Sequence, residues 1–300
     1  MQVIIQSALL QGLVYSFMVL GVFITFRVLD FPDLTVDGSL PLGAAVTAAL
    51  IAGGHSPLLA TLAGVLAGLC AGFVTGFLHL LLKGGDSDAT NYGPKLLAGI
   101  LTMTALYTVN LRIMGRSNVP LLGVQVIFDK IGALFSISMV AWNLIIGLAL
   151  LAVLVKYLLD WLLHTEFGLC LQATGDNESM IRAMGTNTNI TRIIGLGLAN
   201  ALVALSGSLV AQQQGFADVG MGIGTIVAGL AGVIMGEVLF GVRSVSWVLF
   251  SVIGGSIVYR LLIAVSLRLG IAPTDLKLLT AVLVVVALSV PTVRKKVMHA

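Results

Sequence analysis

Residues 57–83 read PLLATLAGVLAGLCAGFVTGFLHLLLK, and apart from His79 the only basic or acidic side chain among them is the terminal Lys83. As a helix this stretch would rise about 40 Å, more than the roughly 30 Å hydrocarbon layer of a bilayer. It is long enough and apolar enough to cross a membrane. Gly64, Gly68, Gly72 and Gly76 recur every four residues and so share one helix face. Lipid supplies no hydrophobic drive between helices, so small residues at this spacing act by letting backbones approach closely. The ridge reads as packing inside one protomer, and His79 as a packed residue.

Working outward, the same character extends over the chain. Of its 300 residues 58% are hydrophobic and 10% charged, against about 25% charged in a soluble domain. The mean hydropathy is +1.07. Apolar segments lie at roughly 7–28, 39–54, 57–83, 96–113, 137–163, 191–212, 221–241, 244–267 and 277–293. The expectation is an all-α polytopic membrane protein with about nine spans, the second of them short, forming one domain over 1–300. The N-terminal run has no basic flank or cleavage pattern and reads as a retained first span. Cys70 and Cys170 imply no disulfide or metal framework. A net charge of +3, dispersed along the chain, argues against nucleic acid.

Basic residues suggest an orientation. With the N-terminus outside, the inner side collects Arg27, Lys83, Lys95, Lys156, Arg182, Arg192, Arg243, Arg294, Lys295 and Lys296. Arg112, Arg116, Lys130, Arg260, Arg268 and Lys277 fall outside, which satisfies the positive-inside rule. A second small-residue series, Gly220, Gly224, Ala228, Gly232 and Gly236, mirrors the first. Each follows a polar interruption, so the two halves suggest opposed internal repeats of the kind that surround a central pathway.

Two interruptions carry the remaining signal. Residues 30–43, DFPDLTVDGSLPLG, place three acids between apolar runs. Asp37 or Ser39 can cap the short second helix, with Pro41 in its first turn. Alternatively the break lies inside the membrane domain beside a wet pathway, where irregular backbone is tolerated. Residues 164–192 form the longest hydrophilic stretch. There Asp176 is the expected N-cap of a short helix, Glu178 lies in its first turn, and Gly185 ends it. Met180, Ile181 and Met184 would share an apolar side, and a helix this short needs something to pack against. Other polar groups in apolar surroundings are Asn110, Gln212, Gln213 and Gln214, all suited to interhelical hydrogen bonds, and Glu237, which has Arg243 nearby.

Residues 165–188, TEFGLCLQATGDNESMIRAMGTNT, resemble the pattern T-x-x-G-x-x-L-R-A-x-G-x-N found in the permeases of ATP-binding-cassette importers for branched-chain amino acids, ribose and related solutes. Thr165, Gly168, Leu171, Gly175, Asn177 and Gly185 stand at matching places, while Gln172 replaces the usual arginine. Residues 33–39, DLTVDGS, are similar to the family's D-L-S-V-G-S with one residue inserted, and 71–83 and 222–237 resemble its small-residue helices. The string FPDLTVDGS at 31–39 is similar to a subgroup that carries aromatic amino acids.

The resemblance implies a type II-importer-like homodimer in a bacterial plasma membrane. It also implies a separate cytoplasmic ATPase that holds ATP and Mg, and an extracytoplasmic solute-binding protein. This chain has no G-x-x-x-x-G-K-[ST] loop, H-E-x-x-H or G-x-S-x-G, so no enzyme, catalytic residue, metal or cofactor of its own is expected. Segment 164–190 would couple to the ATPase through Thr165, Glu166, Gly168, Gly175, Asp176, Asn177, Met180, Arg182 and Gly185. Asp33, Thr35, Asp37, Ser39, Asn110, Gln212 and Gln213 would face the pathway. A sugar or nucleoside importer and, from another class, an ion-coupled secondary transporter are the alternatives.

Overall fold

The computed structural model describes residues 2–83, 92–128 and 140–272, with 275, 276, 278, 280–282 and 285 beyond them. Helix α1 (Gln2–Phe23) continues into a widened turn, Ile24–Val28, where the Leu29 N–H donates to the Ile24 carbonyl at 3.0 Å. After an irregular break come α2 (Val36–Ala52), α3 (Pro57–Lys83) and α4 (Tyr92–Met114). Strand β1 (Asn118–Pro120) follows, then α5 (Val140–His164), α6 (Glu166–Asp176), α7 (Glu178–Ala183) and α8 (Thr188–Gln214). Strand β2 (Phe216–Asp218) pairs antiparallel with β1, a tight turn spans Val219–Gly222, and α9 (Thr225–Phe240) and α10 (Val245–Arg268) complete the described chain.

Seven helices among the described residues are long and apolar enough to cross a membrane, and α2 is a shorter apolar helix. Eight of the expected segments thus coincide with helices, while the ninth, 277–293, lies mostly outside the described residues. The described residues are helical but for one small ribbon, and they do not confirm a count of nine spans.

Helices α1 and α8 pass through the middle of the bundle. Their apolar faces meet those of α2, α9 and α10 in a core that includes Leu20, Leu40, Leu196, Val203, Val233 and Val252. In contrast α3, α4 and α5 turn Leu59, Leu66, Phe77, Tyr107, Leu150 and Trp161 outward. That distribution is stable in lipid and costly in water.

The glycine ridge of α3 does pack within the chain. A β-carbon at Gly72 would collide with the backbone of Leu196, so α3 lies directly on α8. The second ridge does not form one face. Gly220 and Gly224 precede α9, where Gly224 takes a positive φ of 84° that starts the helix. Of the series, Gly232 packs on Val19 of α1 and Gly236 on Ser251 of α10, and Gly229, outside it, packs on Val22 of α1.

Candidate functional site

The break at 29–35 turns back into the bundle. Asp33 is fully buried and accepts hydrogen bonds from the Thr35 N–H at 2.9 Å and from Asn200 Nδ2 at 2.8 Å. Ser39 donates to Asn200 Oδ1 at 2.7 Å, and the Thr35 and Thr75 hydroxyls are 2.8 Å apart. Asn200 lies near the midpoint of α8, the 27-residue helix from Thr188 to Gln214. Helix α2 therefore begins about halfway through the bundle. Thr35 stands at the N-cap without a side-chain capping bond, and Asp33 two residues earlier accepts from its N–H. The expected caps Asp37 and Ser39 do other work, and Pro41 sits inside α2 instead of in its first turn.

Asp37 reaches across to α9. Its Oδ2 accepts from the Gly224 N–H at 2.9 Å, and its Oδ1 accepts from Thr225 Oγ1 at 2.9 Å and the Ile226 N–H at 2.8 Å. One carboxylate thus lies in the first turn of α2 and caps α9. Both helices start at the same depth, and their positive ends converge on it. Helix N-termini that meet inside an apolar layer are one way transporters build ion and solute sites from backbone.

The other polar residues find separate partners. Asn110 is buried and donates to the Gly38 carbonyl at 3.2 Å. Gln212 donates to Thr61 at 2.9 Å and accepts from the Ile127 N–H at 2.9 Å. Gln213 is half-buried and lines, with Gln6, Gln11, Gln212 and Phe128, a groove of about 440 Å³ near the ribbon end. His79 packs edge-on against Phe31 at 5.2 Å.

Residues 165–188 fold as two helices, not one. Thr165 caps α6 by accepting from the Gly168 N–H at 3.3 Å. Gly168 lies on the backbone of Leu162 and Leu163, and Gly175 on the carbonyl of Val28, so a side chain at either would push α6 away. Gln172, in place of the family arginine, donates to the Leu163 carbonyl at 2.9 Å. Asn177, not Asp176, caps α7, its Oδ1 accepting from the Met180 N–H at 3.0 Å. Gly185 ends α7 with φ of 89°, as expected. The predicted apolar side divides: Ile181 is buried, while Met180 and Met184 are 52% and 74% exposed. Glu166, Asp176 and Asn177 are exposed. A Thr165→Ala change should cost about 1 kcal/mol of local stability, read as faster amide exchange across α6 with α8 unaffected.

The residue that organises this segment was not singled out by its sequence. Glu178 is 5% exposed, yet three cations surround it. Lys83 of α3 and Arg182 of α7 reach Oε1 at 2.9 and 2.7 Å, and Arg192 of α8, itself buried, reaches Oε2 at 2.7 Å. Burial pushes the carboxyl up, but the Lys83 hydrogen bond and the Arg192 charge outweigh it and hold the group down at about 2. Arg182 also donates to Thr188 Oγ1 at 2.8 Å. Short α7 is thereby tied to two long helices. Arg182 stands at the i,i+4 spacing from Glu178, but Lys83 is 95 positions away and no spacing signals its meeting with them.

A further ion pair joins the same end. Glu237 pairs with Arg27 through two bonds of 2.7 and 2.6 Å, and not with Arg243, which lies over the Trp247 ring.

A family model described as the permease component of branched-chain amino acid transport systems matches residues 4–288. A tyrosine transport system permease protein of Clostridioides difficile (strain R20291) is 42% identical over 94% of this chain and 90% of its own length. An uncharacterized protein of Rickettsia prowazekii (strain Madrid E) is 32% identical over 95% of this chain and 97% of its own. The autoinducer 2 import system permease protein LsrC of Escherichia coli O9:H4 (strain HS) is 34% identical over 35% of this chain and 29% of its own. No solved structure matches.

Proposed function

This chain belongs to the family of permease components of branched-chain amino acid transport systems, and from that premise we propose that it imports an aromatic amino acid, tyrosine foremost. The likeness to a tyrosine permease over nearly the full length supports the substrate. Transport would be powered by a separate cytoplasmic ATPase holding ATP and Mg, with a solute-binding protein delivering at the outer face. Two copies would form a homodimer in a bacterial plasma membrane, with the pathway between them.

The observation that carries the coupling role is the tip of α7. Met180 and Met184 project from a helix whose other side is fixed through Ile181 and Glu178. Leu169 and Ile190 are also exposed nearby on the adjoining helices. An apolar tip on a charge-anchored base suits a groove on a soluble partner and transmits its motion to α3 and α8. Arg27, Lys83, Arg182 and Arg192 gather at this end through their pairs with Glu178 and Glu237. That supports a cytoplasmic location for it and an external N-terminus. Helices α1–α2–α3 and α8–α9–α10 follow the same sequence of long, short and long, and α3 packs on α8 as α10 packs on α1. This supports opposed repeats whose rocking alternates access.

The test is ATP-driven uptake by proteoliposomes containing permease, ATPase and binding protein. Labelled tyrosine should accumulate over leucine, ribose and adenosine. A Met180→Asp, Met184→Asp double variant should fold normally yet lose ATPase co-purification and uptake at least tenfold. Preferential ribose or adenosine uptake would overturn the substrate, ATP-independent uptake driven by an ion gradient would overturn the importer class, and full activity of the double variant would place coupling elsewhere.

A further inference from the structure

We infer that Arg260 holds the carboxylate of the transported solute, in a cavity at the end of the bundle that the proposed orientation places outside. The assignment rests on the reading of this chain as an amino-acid permease. Helices α1 and α10 meet along one seam. A β-carbon at Gly12 would collide with the backbone of Ile257, and Ser256 Oγ donates to the Gly12 carbonyl at 2.9 Å. Toward the free ends of the two helices the seam opens into a cavity of about 420 Å³. One face of each helix lines it, at spacings of three and four residues: Ile4, Ser7, Ala8 and Gln11 on α1, with Arg260 and Ile263 on α10.

Arg260 is the lining residue of α10 farthest from the helix end at Arg268. Eight residues of helix put it about 12 Å inside that end, where a cation is costly unless it is paired or faces a polar cavity. None of the ion pairs among the described residues includes Arg260, and its buried Nε has no hydrogen-bond partner. The guanidinium lies over the Tyr15 ring at 3.5 Å. That contact covers one face of the group and leaves its in-plane N–H donors, which a ring face does not reach. Nor is this an arginine extending to water. Arg260 starts on the outer side of the Gly12–Ile257 contact and its guanidinium lies on the inner side, over Tyr15, whereas a snorkelling side chain runs outward.

The chemistry narrows the ligand. A planar guanidinium held on an aromatic face is preorganised for a carboxylate, which it binds through two parallel N–H···O bonds. The cavity volume is that of a small-molecule site, as is the combination of apolar walls with a few polar groups. With the carboxylate on Arg260, the Gln11 amide oxygen and the Ser7 hydroxyl offer acceptors to an ammonium group. Ile4, Ile263 and Leu267 form the wall for an aromatic ring. A lipid phosphate suits the site less, because it stays at the polar boundary, level with the end of α10 and about 12 Å outward of Arg260.

The experiment uses the permease–ATPase complex in nanodiscs of phosphatidylcholine and phosphatidylglycerol, with saturation-transfer NMR on L-tyrosine. Here 3-(4-hydroxyphenyl)propionate, which keeps the carboxylate, should displace tyrosine, while tyramine, which lacks it, should not. Arg260→Gln should weaken tyrosine binding at least tenfold, and Arg260→Lys, which keeps the charge without the fork, should recover part of it. An unchanged melting midpoint and unchanged ATPase co-purification verify the fold. If Arg260→Gln fails that check, Ile263→Trp fills the cavity with Arg260 in place and should block tyrosine equally. The proposal is overturned if a folded variant binds tyrosine like the wild type, or if tyramine competes as well as the propionate. It is also overturned if Arg260→Gln sheds a tightly held phosphatidylglycerol, seen by native mass spectrometry, while the tyrosine signal stays unmoved; the site would then hold a lipid headgroup. A wild-type complex that transports ribose or adenosine and no amino acid would overturn the amino-acid reading itself, and this assignment with it.

Discussion

Replacing Glu178 with alanine is expected to cost about 3–5 kcal/mol, the range for removing one partner of a buried ion pair and leaving the other uncompensated. Arg192 is the partner that suffers most, since it is 3% exposed and cannot turn to water. Lys83 loses its only acid among the described ion pairs, while Arg182, more exposed, keeps Thr188 and Asn189 as acceptors. The change would be measured as a lower denaturation midpoint in mixed micelles. It would also free α7 from α3 and α8, so transport should fall further than stability alone explains. A double change to Glu178→Leu with Arg192→Met should recover much of the stability but none of the coupling. Recovery of both would show that the hub is not a joint.

The same residue sets an acid dependence. Glu178 is held at about 2, below the ordinary 4.5, because the Lys83 and Arg192 interactions exceed the cost of burial. A depressed carboxyl binds fewer protons folded than unfolded, so its contribution is complete above about pH 4.5 and is lost as the pH falls toward 2. The Glu178→Gln variant should lack that part of the acid transition.

The second large effect concerns the interior. Asn200→Leu should cost about 3 kcal/mol, since a buried hydrogen bond to a charged group is worth about 1.5–3 kcal/mol and a neutral one about 1 kcal/mol. The substitution leaves Asp33 with the Thr35 N–H as a donor and takes the acceptor from Ser39. Ser39→Ala alone should cost about 1 kcal/mol and add little in the Asn200→Leu background, because the two share one network. Additive losses would show that the two bonds act independently.

How much of this was legible beforehand follows from the range of each interaction. Spans, glycine approach on α3 and the Gly185 terminus depend on neighbours along the chain, and a linear reading recovers them. The sequence places Arg243 six residues from Glu237, yet the partner is Arg27 across the bundle. Asp37 or Ser39 is expected to cap the second helix unless the break faces a pathway, yet the Asp37 oxygens accept from the start of α9. Asp176 lost the cap to Asn177 by one position, because the helix breaks there into two. For Glu237 and Asp37 the nearer assignment fails because a distant partner is geometrically better, whereas the cap at Asp176 shifts by a single residue.

The sequence alone determined that this is a multi-span membrane chain of a known permease family, since hydropathy, small-residue spacing and short motifs are local and additive. Only the tertiary structure decided where the carboxylates go. Inside an apolar bundle a charged or polar group is settled by whichever helix brings a complementary group within about 3 Å, and that choice is made by packing among helices separated by as many as 244 positions.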